Sequence, residues 1–393
     1  METLIELYDE RPLENVLGVE MFPPDQVIYI CPDDIASNQT IQKKLRAFFR
    51  HRGKKVELIF MRANIYDAEA LLRLFRKILM QYPNVSMDIT GGTDAVLFAS
   101  GLLSSETEIP VFTYSRKKNR FYNIRNADFA AGVPCSIRYS VEDCFLMAGG
   151  SMRPGRVDNS ILYYYLDDIE PFFALYMRHR RQWTKIVTYI QRISPATLEG
   201  EYSLTVNGKY TVKGERTALI NAPEAALMEL EEIGFLEDLQ IRENESVSFR
   251  FRDSQIRTWL RDVGSVLELY IYKACRDTGL FQDVITSAVV DWEGAGGSNA
   301  VTNELDVMCT RGITPVFISC KTADVKTDAL NELAILRDRF GGNIAKAAIV
   351  TAEKAGSATR NRASELDIDV IDLDDLSRGH VDKRLRELMR GVK

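Results

Sequence analysis

Short apolar runs alternate with amphipathic stretches along the first third of the chain. Runs at 27–31, 56–60, 85–89 and 111–114 have the length and apolar content of buried strands. Between them, 41–49, 67–80 and 93–103 read as helices, the second with apolar residues at helical spacing at Leu71, Leu72, Phe75, Ile78 and Leu79. Asn38 or Ser37 is placed to cap the first of these helices, which ends in Arg50-His51-Arg52 before Gly53. Strands alternating with helices predict a mostly parallel, doubly wound sheet. In such a sheet a ligand binds outside the carboxyl ends of the strands, where the strand order reverses. Two loops carry suitable chemistry. One is Ser37-Asn38-Gln39-Thr40. The other is Asp88-Ile89-Thr90-Gly91-Gly92-Thr93-Asp94, where glycines admit a close backbone approach and the next helix offers free N–H groups to a phosphate. A tight turn is the plainer reading of Gly91-Gly92. Neither loop is GxGxxG or GxxxxGK[ST], so neither a dinucleotide nor a nucleoside triphosphate is indicated.

The pattern changes near residue 150. Residues 147–156, MAGGSMRPGR, read as a linker or hinge. Helical stretches follow, with Tyr163-Tyr164-Tyr165 and Phe172-Phe173 as core or dimer contacts. Arg178-His179-Arg180-Arg181-Gln182-Trp183 is the strongest basic run, suited to phosphate but more simply a solvated helix face. Asn207-Gly208 between strand-like residues predicts a hairpin turn. A helix opened by Ala222-Pro223 and closed by Gly234 precedes two strands, 235–240 and 246–252, which pair across Arg242-Glu243-Asn244-Glu245. Helix followed by wing predicts a winged-helix-like connector. Its wing is as acidic as it is basic, which favours a spacer transmitting domain movement over a DNA reader.

From Asp253 onward the elements run helix, three strands, helix, strand, helix, strand, helix. The first helix bends at Gly264 and carries Glu268. The Gly-rich loop Glu293-Gly294-Ala295-Gly296-Gly297-Ser298 between the first two strands reads as mobile. The second and third strands form the hairpin Asn303-Glu304-Leu305-Asp306 to Ser319-Cys320-Lys321, turning at Arg311-Gly312. Period-two alternation puts Glu304 and Asp306 on one face, and Ser319 and Lys321 on one face of the next strand. Paired strands then bring Asp306 and Lys321 together, and an acid beside a lysine suits a divalent ion, a phosphate and an attacking water. The plainer reading is a strand with solvated edge charges.

Length and charge narrow this further. At 393 residues the chain exceeds one ordinary core, and the changes in pattern place domains at 1–150, 151–255 and 256–393. A content of 46% hydrophobic and 27% charged residues is that of a soluble globular protein. No apolar run has membrane-spanning length, and METLIELYDERP is acidic where a leader is basic, so a cytoplasmic protein without membrane contact is expected. The six cysteines lack CxxC spacing and the three histidines lie far apart, which disfavours zinc and histidine catalysis. A net charge of −6 confines any nucleic-acid contact to a local patch.

Two resemblances follow from these residues. The opening segment Leu4-Ile5-Glu6-Leu7-Tyr8-Asp9-Glu10-Arg11-Pro12 through Asn15-Val16-Leu17-Gly18, then Pro24, the strand at 27–31 and the Asp88-x-Thr90-Gly91-Gly92-Thr93 loop, resemble the CARF domain (CRISPR-associated Rossmann fold). More narrowly, the chain is similar to the CARF nucleases of the Can/Card type, ancillary effectors of type III CRISPR immunity. That resemblance implies a homodimer binding cyclic tetra-adenylate, or alternatively cyclic hexa-adenylate, across its two-fold axis. Ser37, Asn38, Thr40, Thr90, Gly91, Gly92 and Thr93 are then the ligand contacts, with Asp94 standing where CARF loops often carry Lys or Arg.

The αβββαβ order and the ELD and SCK strands resemble the PD-(D/E)xK nucleases. By that resemblance Asp306 bridges Mn²⁺ or Mg²⁺, Lys321 positions the water or stabilises charge on the phosphate, and Glu268 in Gly264-Ser265-Val266-Leu267-Glu268 is the helix carboxylate. Glu304 is a further ligand or a support behind the ligands. Ser319 departs from the motif, which has an acid two residues before the lysine. The missing acid is sought on the next helix at Glu332, less plausibly at Asp324 or Asp328, with the Ser319 hydroxyl and the Cys320 carbonyl completing the shell. The implied function is a cyclic-oligoadenylate-activated, metal-dependent endonuclease acting on single-stranded DNA or RNA, or nicking duplex DNA. The alternative is a nucleotide-sensing transcriptional regulator with a decayed nuclease domain. A weaker third reading has the CARF domain degrade its own ligand.

Overall fold

The computed structural model describes residues 1–155, 157–195, 203–214, 218–292 and 302–392. The amino-terminal domain is a six-stranded sheet of β1 (Thr3–Leu7), β2 (Gln26–Cys31), β3 (Glu57–Arg62), β4 (Val85–Asp88), β5 (Val111–Ser115) and β6 (Arg120–Arg125), in the order β3-β2-β1-β4-β5-β6. Only β6 runs antiparallel to its neighbour. Its helices are α1 (Leu17–Met21), α2 (Asp33–Ser37), α3 (Gln39–His51), α4 (Ala68–Gln81) and α5 (Asp94–Glu106). Doubly wound topology is thus as the periodicity predicts, but the central strand is β1, which the sequence reading treats only as an opening segment. All five of its residues are buried, so it shows no in–out alternation, and Glu6 interrupts its apolar run. The order reverses between β1 and β4, placing the crevice at their carboxyl ends.

Helix α6 (Val141–Met147) follows, closed at its start by a Ser140–Asp143 capping box. The expected linker is a strand: β7 (Ser151–Pro154) pairs antiparallel with β13 (Asp283–Asp291) at the edge of the carboxyl-terminal sheet. The middle region packs α7 (Leu166–His179), α8 (Trp183–Ile193) and α9 (Glu224–Glu232) against a sheet of β8 (Thr205–Lys209), β11 (Leu236–Arg242) and β12 (Ser246–Phe251), with β9 (Thr211–Lys213) and β10 (Leu219–Asn221) as a separate pair. The wing between β11 and β12 forms as expected, Asn244 taking φ +61° in its turn. Asn207-Gly208 does not turn the chain. It lies inside β8, paired with β12, and a Cβ on Gly208 would come within 2.5 Å of Ile193, so the glycine admits the end of α8. Three residues of the basic run are engaged: Arg178 and His179 hold Glu229, and Arg180 donates to Glu353 at 2.7 Å.

The carboxyl-terminal domain contains α10 (Ser254–Leu260), α11 (Ser265–Asp277), β13, β14 (Thr302–Arg311), β15 (Thr314–Lys321), α12 (Thr327–Gly341), β16 (Lys346–Thr351), α13 (Ser357–Glu365), β17 (Asp369–Ile371), α14 (Leu373–Ser377) and α15 (Val381–Leu388). Its sheet order is β17-β16-β15-β14-β13-β7. Helix α11 covers one face through Leu267, Ile271 and Cys275, and α12 the other through Leu330, Leu333 and Leu336. The Gly-rich loop 293–298 lies outside the described residues. Among the described residues no helix is long and apolar enough to cross a membrane.

The two end domains touch directly, without the connector between them. Tyr139 N donates to Gly312 O at 3.0 Å, Val141 N to Asp283 Oδ2 at 2.7 Å, and Phe145 meets the Phe340 ring edge-on at 4.9 Å. Arg116, in the turn between β5 and β6, reaches both Glu14 and Asn343, just past the end of α12.

Candidate active site

Strands β14 and β15 form the predicted hairpin, with Gly312 at φ +57° in its turn. Alternation along β14 does not hold throughout. Leu305 and Met308 pack into the core under α12, whereas Val307 and Cys309 pack into the core under α11. Two residues two apart, Leu305 and Val307, therefore face opposite sides, and the break falls at Asp306. In β13 Ser287 takes φ +49°, and the ladder steps from Thr286–Val307 to Ala288–Leu305 past Ser287 and Asp306. On the other side the β14–β15 ladder stops at Val307–Ile318, and the Asp306 carboxylate takes over the pairing. Its Oδ2 accepts from Cys320 N at 2.6 Å, Ser319 Oγ at 3.0 Å and Lys321 Nζ at 3.3 Å. Burial alone would lower the Lys321 pKa, but Asp306 and, more weakly, Glu268 outweigh it, so the ammonium holds its proton above the ordinary lysine value.

These groups line a cleft of about 340 Å³ that also receives Glu268, Glu304, Glu332 and Asp262. Glu268 is buried on α11, and a Cβ at Gly264 would come within 2.8 Å of its Oε1, so that glycine makes room for the carboxylate. Ser287 Oγ donates to Glu304 Oε1 at 3.3 Å. Glu332 on α12 accepts from Asn303 Nδ2 at 2.5 Å. Asp324 and Asp328 are not among the residues that line the cleft. The Cys320 thiol is buried, which pushes its pKa well up, so only the backbone of this residue has polar groups to offer.

At the amino-terminal crevice the predicted loops stand at the ends of β2 and β4, with β1 between them. Asn38 Oδ1 is engaged in capping α3, accepting from Thr40 N at 3.0 Å and Ile41 N at 3.2 Å. Ser37 Oγ donates to the Asp33 carbonyl. Thr90 donates through N and Oγ1 to Asp88 Oδ1 and accepts from Tyr114 N, which fixes the loop. Gly91 lies against the Leu7 carbonyl, where a Cβ would come within 2.7 Å, and Gly92 takes φ +96° while donating to Asp9 Oδ2 at 3.3 Å. Thr93 donates to Ile65 O at 2.9 Å, and Asp94 is exposed at the first position of α5, where an acid suits the helix dipole. Beneath the loop lies a pair that the sequence reading missed: Glu6 and Asp88, cross-strand neighbours on β1 and β4, both fully buried.

Residues 255–392 match the family model of the Card1-like endonuclease domain. The match spans the carboxyl-terminal domain. Two solved structures share the fold of the whole chain. Protein VC1899 from Vibrio cholerae aligns with a TM-score of 0.73 at 16% identity, over 99% of this chain and 98% of that one. Can2 from Sulfobacillus thermosulfidooxidans, solved with cyclic tetra-adenylate, aligns with a TM-score of 0.69 at 17% identity, over 99% of each chain. No curated protein matches. The family match and the shared fold bear out the resemblance to CARF nucleases of the Can/Card type.

Apart from the less plausible Asp324 and Asp328, the residues expected in the nuclease site line one cleft, and Asp262 joins them. Asp262 precedes Gly264-Ser265 and caps α11, its Oδ1 accepting from Gly264 N, Ser265 N and Ser265 Oγ. An Asp followed two or three residues later by a helix start is a legible cap, but its place beside Glu268 is not. Among the described residues no three acidic, histidine or cysteine side chains stand close enough to hold an ion alone. The donors nonetheless fit Mg²⁺ or Mn²⁺ in kind, since such ions take hard oxygen ligands, often only one or two carboxylates, and keep several waters. Glu268, Asp306 and the Cys320 carbonyl are the oxygen donors that could hold one.

Proposed function

We propose that the protein is a cytoplasmic, homodimeric endonuclease of CRISPR defence, switched on by a cyclic oligoadenylate and dependent on Mn²⁺ or Mg²⁺, that cuts DNA or RNA. The observation that carries this reading is the cluster of Cys320 N, Ser319 Oγ and Lys321 Nζ on one Asp306 oxygen, in a cleft shared with Glu268, inside a Card1-like endonuclease domain.

The chemistry follows from the residues. Lys321, kept charged by Asp306, offers an ammonium to the negative charge that builds on a phosphate during attack. Three donors on one oxygen hold the Asp306 carboxylate in a single orientation. A divalent cation bound by Glu268, Asp306 and the Cys320 carbonyl would add Lewis-acid stabilisation of the phosphate and a more acidic water. The Ser319 hydroxyl, bonded to Asp306, supports that carboxylate rather than replacing the motif acid. Glu304 and Glu332 bring further negative charge to the cleft, which favours a working site over a decayed one.

Ligand binding at the CARF crevice is supported by the Thr90 to Thr93 loop at the switch point and by the shared fold with Can2, which was solved with cyclic tetra-adenylate. Cyclic hexa-adenylate is the alternative ring. Dimerisation is supported by α5, which leaves Leu97, Phe98 and Leu102 exposed, Phe98 at 62%, immediately after that loop. A ligand contacting two copies favours whichever arrangement joins the half-sites, and the direct CARF–nuclease contacts carry that arrangement to α12.

The test is cleavage of labelled strands with Mn²⁺, with and without cyclic tetra-adenylate. Lys321→Ala should reduce turnover at least about a hundredfold while leaving ligand binding intact. Absence of ligand-dependent cleavage with either metal, or unchanged turnover in Lys321→Ala, would overturn the reading.

A further inference from the structure

A hydrogen-bonded pair behind Glu332 is used by none of the chemistry above. Trp292 Nε1 donates to Asn303 Oδ1 at 2.7 Å, and Asn303 Nδ2 donates to Glu332 Oε1 at 2.5 Å. An indole N–H can only donate, so the Asn303 carbonyl must face Trp292 and its NH₂ must face Glu332. Trp292 is held in turn, edge-on to Phe340 at 5.8 Å, and Phe340 lies near the end of the same helix that carries Glu332.

Glu332 is exposed at the rim of the cleft and has three rotatable bonds, so an unrestrained carboxylate there would spread over many positions. A motif acid is absent at Ser319, on the strand beside it. We infer that Asn303, oriented by Trp292, is a positioning residue that holds the Glu332 carboxylate in the cleft, where it supplies the acidic oxygen toward a divalent cation that Ser319 does not. This rests on the metal-dependent reading proposed above. It deepens that reading by naming which acid makes up the set and what fixes it.

The experiment titrates the full-length protein with Mn²⁺ alone by calorimetry, comparing wild type, Glu332→Gln, Asn303→Leu, Trp292→Phe and the double variant Asn303→Leu/Glu332→Gln. Asn303→Leu keeps the volume and removes the donor; Trp292→Phe keeps a ring on Phe340 and removes the N–H. Both Glu332→Gln and Asn303→Leu should weaken Mn²⁺ binding by about tenfold, the range found when groups behind metal ligands are removed. Trp292→Phe should weaken it less, and the double variant no more than Glu332→Gln alone. In cleavage assays the Mn²⁺ concentration for half activity should rise in Asn303→Leu while the rate at saturating Mn²⁺ stays within about twofold. A role in packing alone would lower the rate at every Mn²⁺ concentration without moving the half-activation point, and that result overturns the inference. So does wild-type Mn²⁺ affinity in both Asn303→Leu and Trp292→Phe while Glu332→Gln binds weakly. If wild type takes up no Mn²⁺, the metal reading fails first and this inference with it; if Glu332→Gln binds as wild type does, the inference fails alone.

Discussion

Asp88→Asn should flatten the dependence of stability on pH, because Asp88 and Glu6 form a carboxyl pair with nowhere to put two negative charges. Both are fully buried on neighbouring strands, and Glu6 Oε1, Glu6 Oε2 and Asp88 Oδ2 have no hydrogen-bond partner. Burial raises the Asp88 pKa from 3.8 to about 7 against the opposing pull of the two Thr90 hydrogen bonds, and burial with the Asp88 charge raises Glu6 well above its ordinary value. The fold thus keeps protons that the unfolded chain releases near pH 4. Stability from this pair is fully present below that pH and is lost as pH rises through about 7. For Asp88 the movement from 3.8 to about 7 corresponds to an upper limit of about 4 kcal/mol. An asparagine keeps an oxygen for Thr90, never ionises, and can donate from Nδ2 toward Glu6. Thermal melts of wild type and Asp88→Asn at pH 5, 6, 7 and 8 give the comparison. Wild type should lose stability steadily over this range, and the variant should lose less and be the more stable protein at pH 8. Parallel profiles, or a variant less stable than wild type at pH 8, would refute shared protonation of the pair.

Two further outcomes follow from the domain contacts and the exposed helix. Phe98→Glu, at a position 62% exposed on α5, should yield a monomer by light scattering with an unchanged melt and no activation by cyclic tetra-adenylate; a dimer that still responds would move the interface elsewhere. Arg116→Ala removes the side chain that reaches Glu14 and Asn343, and should leave cyclic tetra-adenylate binding within about twofold while lowering ligand-stimulated cleavage about tenfold, a coupling of roughly 1.4 kcal/mol. Full stimulation in that variant would show that this contact carries no coupling.

Much of the architecture was legible in the sequence because it rests on local rules. Amphipathic spacing marked α4, the Asn38 cap fixed where α3 begins, and alternating strands and helices gave the doubly wound sheet. The hairpin carrying Asp306 and Lys321 was equally plain, since a strand has a period of two and Gly312 supplies the turn. Strand β1 escaped because a strand buried on both faces has no alternation to read, and Glu6 within it looks like a surface residue until its burial is known. Asn207-Gly208 misled because a glycine admitting Ile193 and a glycine turning a hairpin look the same in one dimension.

The sequence by itself therefore determined most of the elements, their order and the residue types at the site: each follows from propensity and periodicity within a dozen residues. Only the tertiary structure decided which strand is central, that Asp306 sits at a break in β14 where its carboxylate replaces ladder pairing, that Asp262 stands beside Glu268, and that Trp292 and Asn303 stand behind Glu332. Each of these depends on contacts between segments far apart in the chain. No local pattern encodes them, because packing between distant segments, not propensity, fixes the position of a side chain.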